Sequence, residues 1–483
     1  MKVCKNLKEK YYSDEINLSE WILAAVVGLL VFTTSTYYDL PSLTIWSTNV
    51  WDVTLDSNIY HLYEYTAQNV YGAPHRYLGS EILSVLPWSI WNLPIWALQR
   101  FAGFLILENP FCLAWSKLFL VFLTVVMLIY TYKIAMLLTR DEVRSKIAAF
   151  LTGSSLYLYF AVCYAGQNDI LMIVPSLIGI YNLLKGNKVA FYAFSALAIS
   201  IKPFYAIAFI TVILLTEKNF IRIFSKILIG LSGFLLEKLI FLNAPMYQES
   251  MAKGPTSKIM NVMFPTNIET SFGPISFFAI AFFLICFYAY TRKFDLNKDE
   301  KSKLLYMRYV IYTVTLTYFS YIMFSAFSYY RIILLLPFLY LVIIQNKKIY
   351  MYNMLLDLAL NVGLIMHMIL RGSQVFKLKT VNNSIFQFFL GYSVDYEKAA
   401  YPSIKHFLSE RLSVVLDMHG LFSAVALISA MLILILNHPV PKISLPDDAE
   451  KCPRVLYWIR TLIIVPFILF TLYMFVKTSC RIY

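Results

Sequence analysis

Charged residues are scarce in this sequence. Aspartate, glutamate, lysine and arginine make up 14% of its 483 residues, whereas 59% of the residues are hydrophobic. A soluble globular chain usually has about a quarter of its residues charged and less than half of them apolar. A single aqueous core cannot hide this much apolar surface, so lipid must cover much of it. The composition therefore excludes a soluble globular protein and predicts an integral membrane protein.

The short motifs that identify many soluble enzymes are also absent. The sequence has no phosphate-binding GxxxxGK[ST], no dinucleotide-binding GxGxxG, no G-x-S-x-G nucleophile turn and no zinc-binding H-E-x-x-H. Its six cysteines form no C-x-x-C pair and its six histidines do not cluster. We therefore predict that the protein has no disulfide framework and no protein-bound metal.

No repeat of fixed period and no linker rich in glycine, serine or proline interrupts the chain. We therefore predict a single membrane domain over residues 1–483. The first apolar run, at 21–38, is not followed by a small-residue cleavage site, so it is predicted to be an uncleaved first span.

The net charge is +13 at neutral pH. In a soluble protein this excess would suggest nucleic-acid binding. In a membrane protein, basic loops are expected from the positive-inside rule and from the attraction of anionic lipid headgroups. The basic residues are therefore predicted to meet membrane lipids, and no nucleic-acid partner is expected.

Long apolar runs follow one another along the chain. A segment in lipid must satisfy its own backbone polar groups, so each run is predicted to be a helix. We expect an all-α polytopic membrane protein with about 11–13 transmembrane helices. The runs lie at 21–38, 116–138, 147–165, 169–184, 189–203, 204–216, 227–243, 274–291, 308–326, 331–345, 350–370, 419–436 and 455–476.

Lysine and arginine are concentrated in the short loops on one side of the membrane. If the N-terminus is cytoplasmic, these basic hairpins lie inside, as the positive-inside rule requires. The pattern predicts a multi-pass plasma-membrane protein with a cytoplasmic N-terminus at 1–20. Three longer segments are then extracytoplasmic: 37–115, 243–273 and 371–420.

The first extracytoplasmic segment is rich in tryptophan between 77 and 107 and is broken by Pro87 and Pro94. This pattern predicts helices in the membrane interface, with tryptophans at headgroup depth. Two additional short spans are the alternative interpretation.

Three aspartates mark the same segment. Asp39 follows the first span, while Asp52 and Asp56 are four residues apart and would share one face of a helix. Like charges at this spacing repel, so one of them is favoured to hold a proton or to meet a cation. An ordinary solvated loop is the alternative.

Further charged residues are predicted at the extracytoplasmic ends of helices. A charge near lipid costs roughly 2.5–3.5 kcal/mol at mid-membrane and usually faces a cavity or a partner. Asp169 and Lys202 therefore form either a structural ion pair or part of a site. Arg331, which follows Tyr330, would either reach lipid phosphates or bind the phosphate of a ligand.

The stretch Gly166–Ile210 resembles polyprenyl-phosphate-dependent glycosyltransferases of the GT-C superfamily, particularly bacterial proteins akin to the GPI mannosyltransferases. Those proteins carry a Gly-Gln-x-Asp element, a short basic hairpin and a lysine one hairpin later. The matching residues here are Gly166, Gln167 and Asp169, then Lys185 and Lys188, then Lys202.

The resemblance is incomplete at two places. Many relatives have a late His-Glu-Arg-Tyr element, whereas this chain has Ser328–Arg331 without histidine or glutamate. The first extracytoplasmic segment also has no clear Asp-x-Asp, which leaves Asp39, Asp52 and Asp56 as alternatives for the catalytic carboxylate.

The resemblance implies a GT-C-like fold and an inverting membrane glycosyltransferase. Such an enzyme would move a hexose, mannose or another, from a polyprenyl-phosphate donor to a cell-envelope glycan or lipid-linked acceptor on the extracytoplasmic face. It implies no required cofactor, although a divalent cation is compatible with it.

The resemblance also implies roles for individual residues. Asp52 is the first choice for the base that deprotonates the acceptor and Asp56 the second. Lys202 and Arg331 would neutralise the departing phosphate, and Asp169 would orient Lys202 or bind the acceptor. The remaining predicted substrate-binding residues are Asp39, Gln167 and Tyr330.

Two other functions share this layout. A transporter or flippase for lipid-linked glycans would use the same cations along a translocation path, and an envelope-polysaccharide polymerase would have the same kind of site. A transporter should carry charges on several spans near mid-membrane, often with inverted repeats. The candidate residues here are predicted at one face, which favours an enzyme.

Overall fold

The computed structural model describes most of the chain. The described residues are 15–37, 39–253, 265, 267–271, 273–296, 299–325, 329–371, 376–395, 397–411, 418–440 and 452–479. The predicted cytoplasmic segment 1–20 therefore lies mostly outside the described residues, as do parts of the predicted extracytoplasmic segments 243–273 and 371–420.

Helices make up nearly all of the described structure. In chain order they are α1 Leu18–Thr34, α2 Asp39–Asp56, α3 Leu62–Gln68, α4 Leu86–Trp91, α5 Leu93–Ala102, α6 Pro110–Thr139, α7 Glu142–Gly153, α8 Leu156–Leu158, α9 Asp169–Leu184, α10 Lys188–Ile201, α11 Tyr205–Thr216, α12 Phe220–Phe241, α13 Tyr247–Lys253, α14 Phe277–Thr291, α15 Glu300–Phe324, α16 Leu336–Ile343, α17 Tyr350–Arg371, α18 Ile385–Leu390, α19 Ile404–Arg411, α20 His419–Leu436, α21 Arg454–Leu462 and α22 Val465–Ser479. The predicted helical class is confirmed.

Shorter turns join some of these helices. A π-helical segment at Tyr159–Tyr164 continues α8. The 3-10 turns are Ile59–His61, Ile82–Ser84, Ile106–Glu108, Tyr329–Leu334, Lys347–Ile349 and Leu378–Thr380.

A β-hairpin departs from the all-α prediction. Its strands, β1 Asn267–Thr270 and β2 Gly273–Ser276, pair antiparallel with Asn267 opposite Ser276. Most of its residues are exposed. Residues 267–273 of the hairpin fall within the predicted segment 243–273, which has no long apolar run, whereas residues 274–276 belong to the run 274–291 that was predicted to be helical from its first residue.

Four helical stretches of the described chain are long and apolar enough to cross a membrane. They are Pro110–Thr139, Lys347–Arg371, His419–Leu436 and Arg454–Ser479. Two bent pairs would raise the number to six if each pair were one span: Leu18–Thr34 with Asp39–Asp56, and Glu142–Gly153 with Leu156–Tyr164.

Four to six spans by length and composition are fewer than the 11–13 that the apolar runs predict. Part of the shortfall arises because four runs form helices that are too short. Asp169–Leu184, Lys188–Ile201, Tyr205–Thr216 and Phe277–Thr291 have 10–17 residues each, whereas about 20 residues are needed to cross a bilayer core. Hydropathy locates an apolar run, but it does not predict the residue at which the helix ends.

Helix α2 lies in the segment that the sequence predicted to be an outer loop. It begins at Asp39 and is bent by 79° from α1. Its buried hydroxyls bond to carbonyls of its own backbone: the Thr44 hydroxyl donates to Leu40 at 2.8 Å and the Ser47 hydroxyl to Thr44 at 2.6 Å. These bonds satisfy the polar side chains, and most of α2 is buried. The solvated-loop alternative is therefore wrong for α2.

The tryptophan-rich stretch forms α4 and α5, of 6 and 10 residues, each with a proline in its first turn. At about 1.5 Å per residue neither crosses a bilayer, so the alternative of two extra spans is wrong. Trp88 and Trp96 are buried inside the protein, and the depth of this stretch in the membrane stays a prediction. A buried indole N–H needs an acceptor, and theirs are Asn168 and Asp52.

Candidate functional site

A cavity of about 460 Å³ lies where α2, the end of α10, the start of α11, α12 and the turn Tyr329–Leu334 meet. Its polar lining comes from parts of the chain far apart in sequence: Asp39, His75, Ser80, Glu81, Gln167, Asn168, Lys202, Lys238, Tyr330 and Arg331. Five of the predicted site residues are among them. The structure thus brings Asp39, Gln167, Lys202, Tyr330 and Arg331 to one place.

Asp39 is the first residue of α2, where the helix dipole favours a carboxylate. Its Oδ1 lies 3.1 Å from His75 Nε2, and its Oδ2 accepts a bond of 2.5 Å from Gln167 Nε2. The side chain is 21% exposed, so the cavity reaches it. Histidine and glutamine on either side hold this carboxylate in a defined orientation.

Gly166, which precedes Gln167, explains part of the Gly-Gln-x-Asp element. Its φ of +61° lies in the left-handed region that favours glycine. An added Cβ would approach the Leu40 side chain to 3.2 Å. Because Leu40 follows Asp39 on α2, a larger residue at this position would press on the start of the helix that carries the cavity carboxylate.

Lys202 and Asp169 form an ion pair beside the cavity. Lys202 follows the last residue of α10 and Asp169 begins α9, and both positions suit the local helix dipole. The Lys202 ammonium donates to Asp169 Oδ1 at 2.7 Å. Lys202 lines the cavity and is 22% exposed, whereas Asp169 is fully buried behind it.

Arg331 supplies a second cation to the cavity lining. Its guanidinium stacks over the Phe204 ring, with 4.8 Å between Cζ and the ring centroid. The predicted element Ser328–Arg331 is only partly described, since Ser328 lies outside the described residues. Tyr330 lines the cavity next to Arg331.

A third polar group of the cavity was not predicted. Glu81 is 6% exposed, and its Oε1 accepts from the Lys238 ammonium at 2.7 Å. Its Oε2 accepts from the Tyr247 hydroxyl at 3.1 Å. Burial, and then the charge of Glu81, raise the pKa of Tyr247, so this phenol remains protonated and donates.

Lys238 could have been noticed in the sequence, because it interrupts the apolar run 227–243. A charge inside such a run usually faces a cavity or a partner. Its actual partner could not have been predicted, since Glu81 is 157 residues away.

Apart from Gly79, apolar side chains form the remainder of the lining. They come from α2, α10, α11, α12 and the residues that join α10 to α11: Leu43, Trp46, Ile201, Pro203, Phe204, Ile207 and Phe234. The cavity therefore combines charged groups with many apolar side chains, which is the arrangement that an amphipathic ligand with a charged head requires.

Asp52 and Asp56 lie at the other end of α2. Thirteen residues of helix separate Asp39 from Asp52, which corresponds to about 20 Å along the axis. Neither Asp52 nor Asp56 lines the cavity. Asp56 forms a two-bond ion pair with Arg100, at 2.9 and 3.0 Å. The predicted cation beside the aspartate pair is thus Arg100.

Asp52 is buried, and its carboxylate accepts hydrogen bonds from three aromatic residues. Its Oδ1 accepts from Trp96 Nε1 at 2.8 Å, and its Oδ2 accepts from the hydroxyls of Tyr71 and Tyr65 at 3.1 and 3.4 Å. This arrangement fixes α5 and the segment after α2 around one carboxylate. It leaves Asp52 without access to the cavity.

The described residues contain no group of three or more histidine, cysteine, aspartate or glutamate side chains placed to hold a metal ion. Asp39 and His75 are two neighbouring groups with suitable ligand atoms. The compatibility with a divalent cation remains a prediction.

Comparison with models of known protein families found no match, and comparison with curated proteins found none either. The geometry of the cavity is therefore the basis for any functional proposal.

Proposed function

We propose that this protein is a membrane glycosyltransferase that transfers a hexose from a polyprenyl-phosphate donor to a glycan or lipid-linked acceptor. The observation that carries the proposal is the composition of the cavity. Lys202 and Arg331 line it together with the carboxylate of Asp39 and several apolar side chains. A lipid phosphate needs the cations and the apolar surface, and an acceptor hydroxyl needs the base.

The cations fit the leaving group. When the bond between the hexose and the phosphate breaks, its electron pair leaves with the phosphate oxygen and negative charge builds up there. Fixed cations beside that oxygen stabilise the developing charge. Lys202 is held in place by Asp169 and Arg331 by stacking on Phe204, so neither has to reorganise during the reaction.

Asp39 is placed to act as the general base. It would take the proton of the acceptor hydroxyl while that oxygen attacks the anomeric carbon from the side opposite the phosphate, which inverts the configuration. The products are the glycosylated acceptor and polyprenyl phosphate, and the proton stays on Asp39 until it passes to solvent. Positioned bases of this kind contribute about 10²–10⁴-fold to a rate.

This assignment moves the base from Asp52 to Asp39. The sequence left both residues eligible together with Asp56. Asp39 lines the cavity, whereas Asp52 is enclosed by Trp96 and two tyrosines and Asp56 is paired with Arg100. A plasma-membrane location with the cavity on the extracytoplasmic side, and a GT-C-like architecture, remain parts of the proposal.

The test is transfer of radiolabelled mannose or glucose from a polyprenyl phosphate by purified protein in liposomes, with a membrane extract of the native cell as acceptor. Asp39→Asn keeps the size of the side chain and removes its charge. We expect transfer to fall by about 10²-fold or more, with donor binding much less affected.

Glu64→Gln is the matched control, because Glu64 also bonds a histidine, His61, at 3.0 Å but does not line the cavity. It should transfer at the rate of the unmodified protein. Loss of transfer in Asp52→Asn or Asp56→Asn, with Asp39→Asn fully active, would return the base to the far end of α2. Normal transfer by Asp39→Asn, Asp52→Asn and Asp56→Asn alike would show that none of these carboxylates is the base, and absence of transfer by the unmodified protein would favour the transporter alternative.

A further inference from the structure

The carboxylate of Glu81 makes part of the cavity unsuitable for a phosphate. Glu81 and Lys238 both line the cavity, and their charges meet at 2.7 Å. Glu81 and Lys238 together carry no net charge, whereas Lys202 and Arg331 together exceed the single negative charge of Asp169. A phosphate is therefore expected at Lys202 and Arg331, and a neutral part of the ligand at Glu81 and Lys238.

The same group offers both kinds of hydrogen-bonding partner. The Glu81 carboxylate is an acceptor, and the Lys238 ammonium has three N–H donors. Lys238 is 41% exposed, so it can donate to a ligand while it remains bonded to Glu81. Adjacent hydroxyls, each of which donates and accepts, are complementary to such a pair.

Surrounding contacts hold the pair in position. The Lys238 ammonium lies 4.9 Å from the centroid of the Phe234 ring, and the Tyr247 hydroxyl donates to Glu81 Oε2 at 3.1 Å. The preceding residue on α12, Glu237, accepts from the backbone N–H of Leu83 at 2.9 Å. This bond ties the segment that carries Glu81 to the helix that carries Lys238.

From this geometry we infer that Glu81 and Lys238 bind the hydroxyl groups of the donor's hexose and set the preference of the site for a glycosylated lipid. The inference rests on the proposed function, because it takes the phosphate of the same donor to lie at Lys202 and Arg331. Trp46 and Phe234 line the cavity and offer apolar faces to the C–H side of a sugar ring.

Binding of two lipids of equal charge tests the inference. One is polyprenyl-phosphate mannose, and the other is the methyl ester of polyprenyl phosphate, which keeps one negative charge and lacks the sugar. Affinities are measured on purified protein in detergent. We expect the protein to prefer the mannosyl lipid, and Glu81→Gln to reduce that preference by about 10-fold, because a hydrogen bond to a charged group is lost.

Glu249→Gln is a matched control. Glu249 also bonds a lysine and a tyrosine, Lys253 and Tyr77, but none of these three residues lines the cavity. It should leave both affinities unchanged. Lys202→Met should lower the affinity for both lipids by a similar factor, since it removes a phosphate contact and no sugar contact.

The outcomes separate the inference from the proposed function. An unchanged preference in folded Glu81→Gln overturns the sugar-binding role and leaves the glycosyltransferase proposal standing. Failure of the unmodified protein to bind either lipid overturns both. If Glu81→Gln does not give monodisperse protein, Lys238→Gln replaces it, because Lys238 is more exposed; the same loss of preference is then expected, and retention of the preference contradicts the inference.

Discussion

Two ion pairs of the described chain each join different helices, and their surroundings differ. Lys202 and Asp169 meet beside the cavity, where Lys202 is 22% exposed. Arg460 and Asp357 meet in the interior, where both side chains have no exposed surface. Both pairs lie in a largely apolar chain, so each must repay the cost of removing charges from water.

The interior pair is completely bonded. Arg460 donates to Asp357, to the Ser154 hydroxyl at 2.6 Å and to the Leu151 carbonyl at 2.6 Å. The Tyr340 hydroxyl donates to Asp357 Oδ1 at 2.8 Å. These contacts connect α7, α16, α17 and α21 around one guanidinium, which is a structural arrangement.

The cavity pair is not completely bonded. Asp169 Oδ2 is buried without a hydrogen-bond partner among the described residues, and Lys202 lines the cavity. A pair that holds the helices together needs every polar atom satisfied. A pair that positions a cation for a ligand leaves bonding capacity for that ligand. The comparison supports a structural role for Arg460, whereas Lys202 is the member of the cavity pair that a ligand can reach, as its proposed phosphate-binding role requires.

Removing the interior arginine is expected to have the largest effect. Arg460→Met leaves Asp357 as a buried, uncompensated charge, which should lower the free energy of unfolding by about 3–5 kcal/mol. The measurement is thermal unfolding and monodisperse yield in detergent. The double variant Arg460→Met with Asp357→Leu should recover part of the loss, since it removes both charges.

Arg144→Met is the control for this prediction. Arg144 pairs with Asp141 at 2.9 Å at the surface, and its loss should cost about 0–1 kcal/mol. Equal stability of Arg460→Met and Arg144→Met would contradict the structural role of the interior pair.

Exchanging the charges of the cavity pair should separate folding from activity. The double variant Asp169→Lys with Lys202→Asp keeps opposite charges together, so folding should partly recover. Hexose transfer should stay about 10²-fold below that of the unmodified protein, because the phosphate then faces a carboxylate. The measurements are thermal unfolding and the transfer assay on the same preparation.

A neutral version, Asp169→Asn with Lys202→Met, serves as a second double variant. It should fold but should not transfer hexose efficiently. Full transfer by the charge-exchanged variant would show that Lys202 does not bind the phosphate and would make the cavity pair structural, like Arg460 and Asp357.

The smallest effect is expected at a third ion pair, Lys226–Glu217, between α11 and α12. The Lys226 ammonium donates to Glu217 at 2.6 Å, and with backbone N–H bonds this lowers the pKa of Glu217 from 4.5 to about 2. Because the folded pKa lies below the unfolded one, the pair stabilises the protein above pH 4.5, and this stabilisation is lost as the pH falls towards 2.

Glu217→Gln should therefore lower the melting temperature slightly at pH 7 and pH 6, and the difference from the unmodified protein should shrink below pH 4. Melting curves of both proteins over this range are the measurement. A difference that grows at low pH would contradict the sign of the pKa shift.

Part of the site was accessible from the sequence. Asp39, Gln167, Lys202, Tyr330 and Arg331 were all predicted at helix ends on one side, and they line one cavity. This worked because charges in an apolar chain are restricted to helix ends, cavities and partners. The predicted choice of Asp52 as base has no support in the cavity geometry, because α2 carries Asp52 away from Asp39.

The sequence by itself determined that this is a helical membrane protein, because composition and apolar runs are sums over neighbouring residues and do not depend on the fold. Only the tertiary structure decided where the runs break into short helices and which charges meet. Glu81 bonds Lys238 across 157 residues and Arg460 bonds Asp357 across 103. Such pairings depend on how helices pack, and packing brings together residues whose separation along the chain carries no signal.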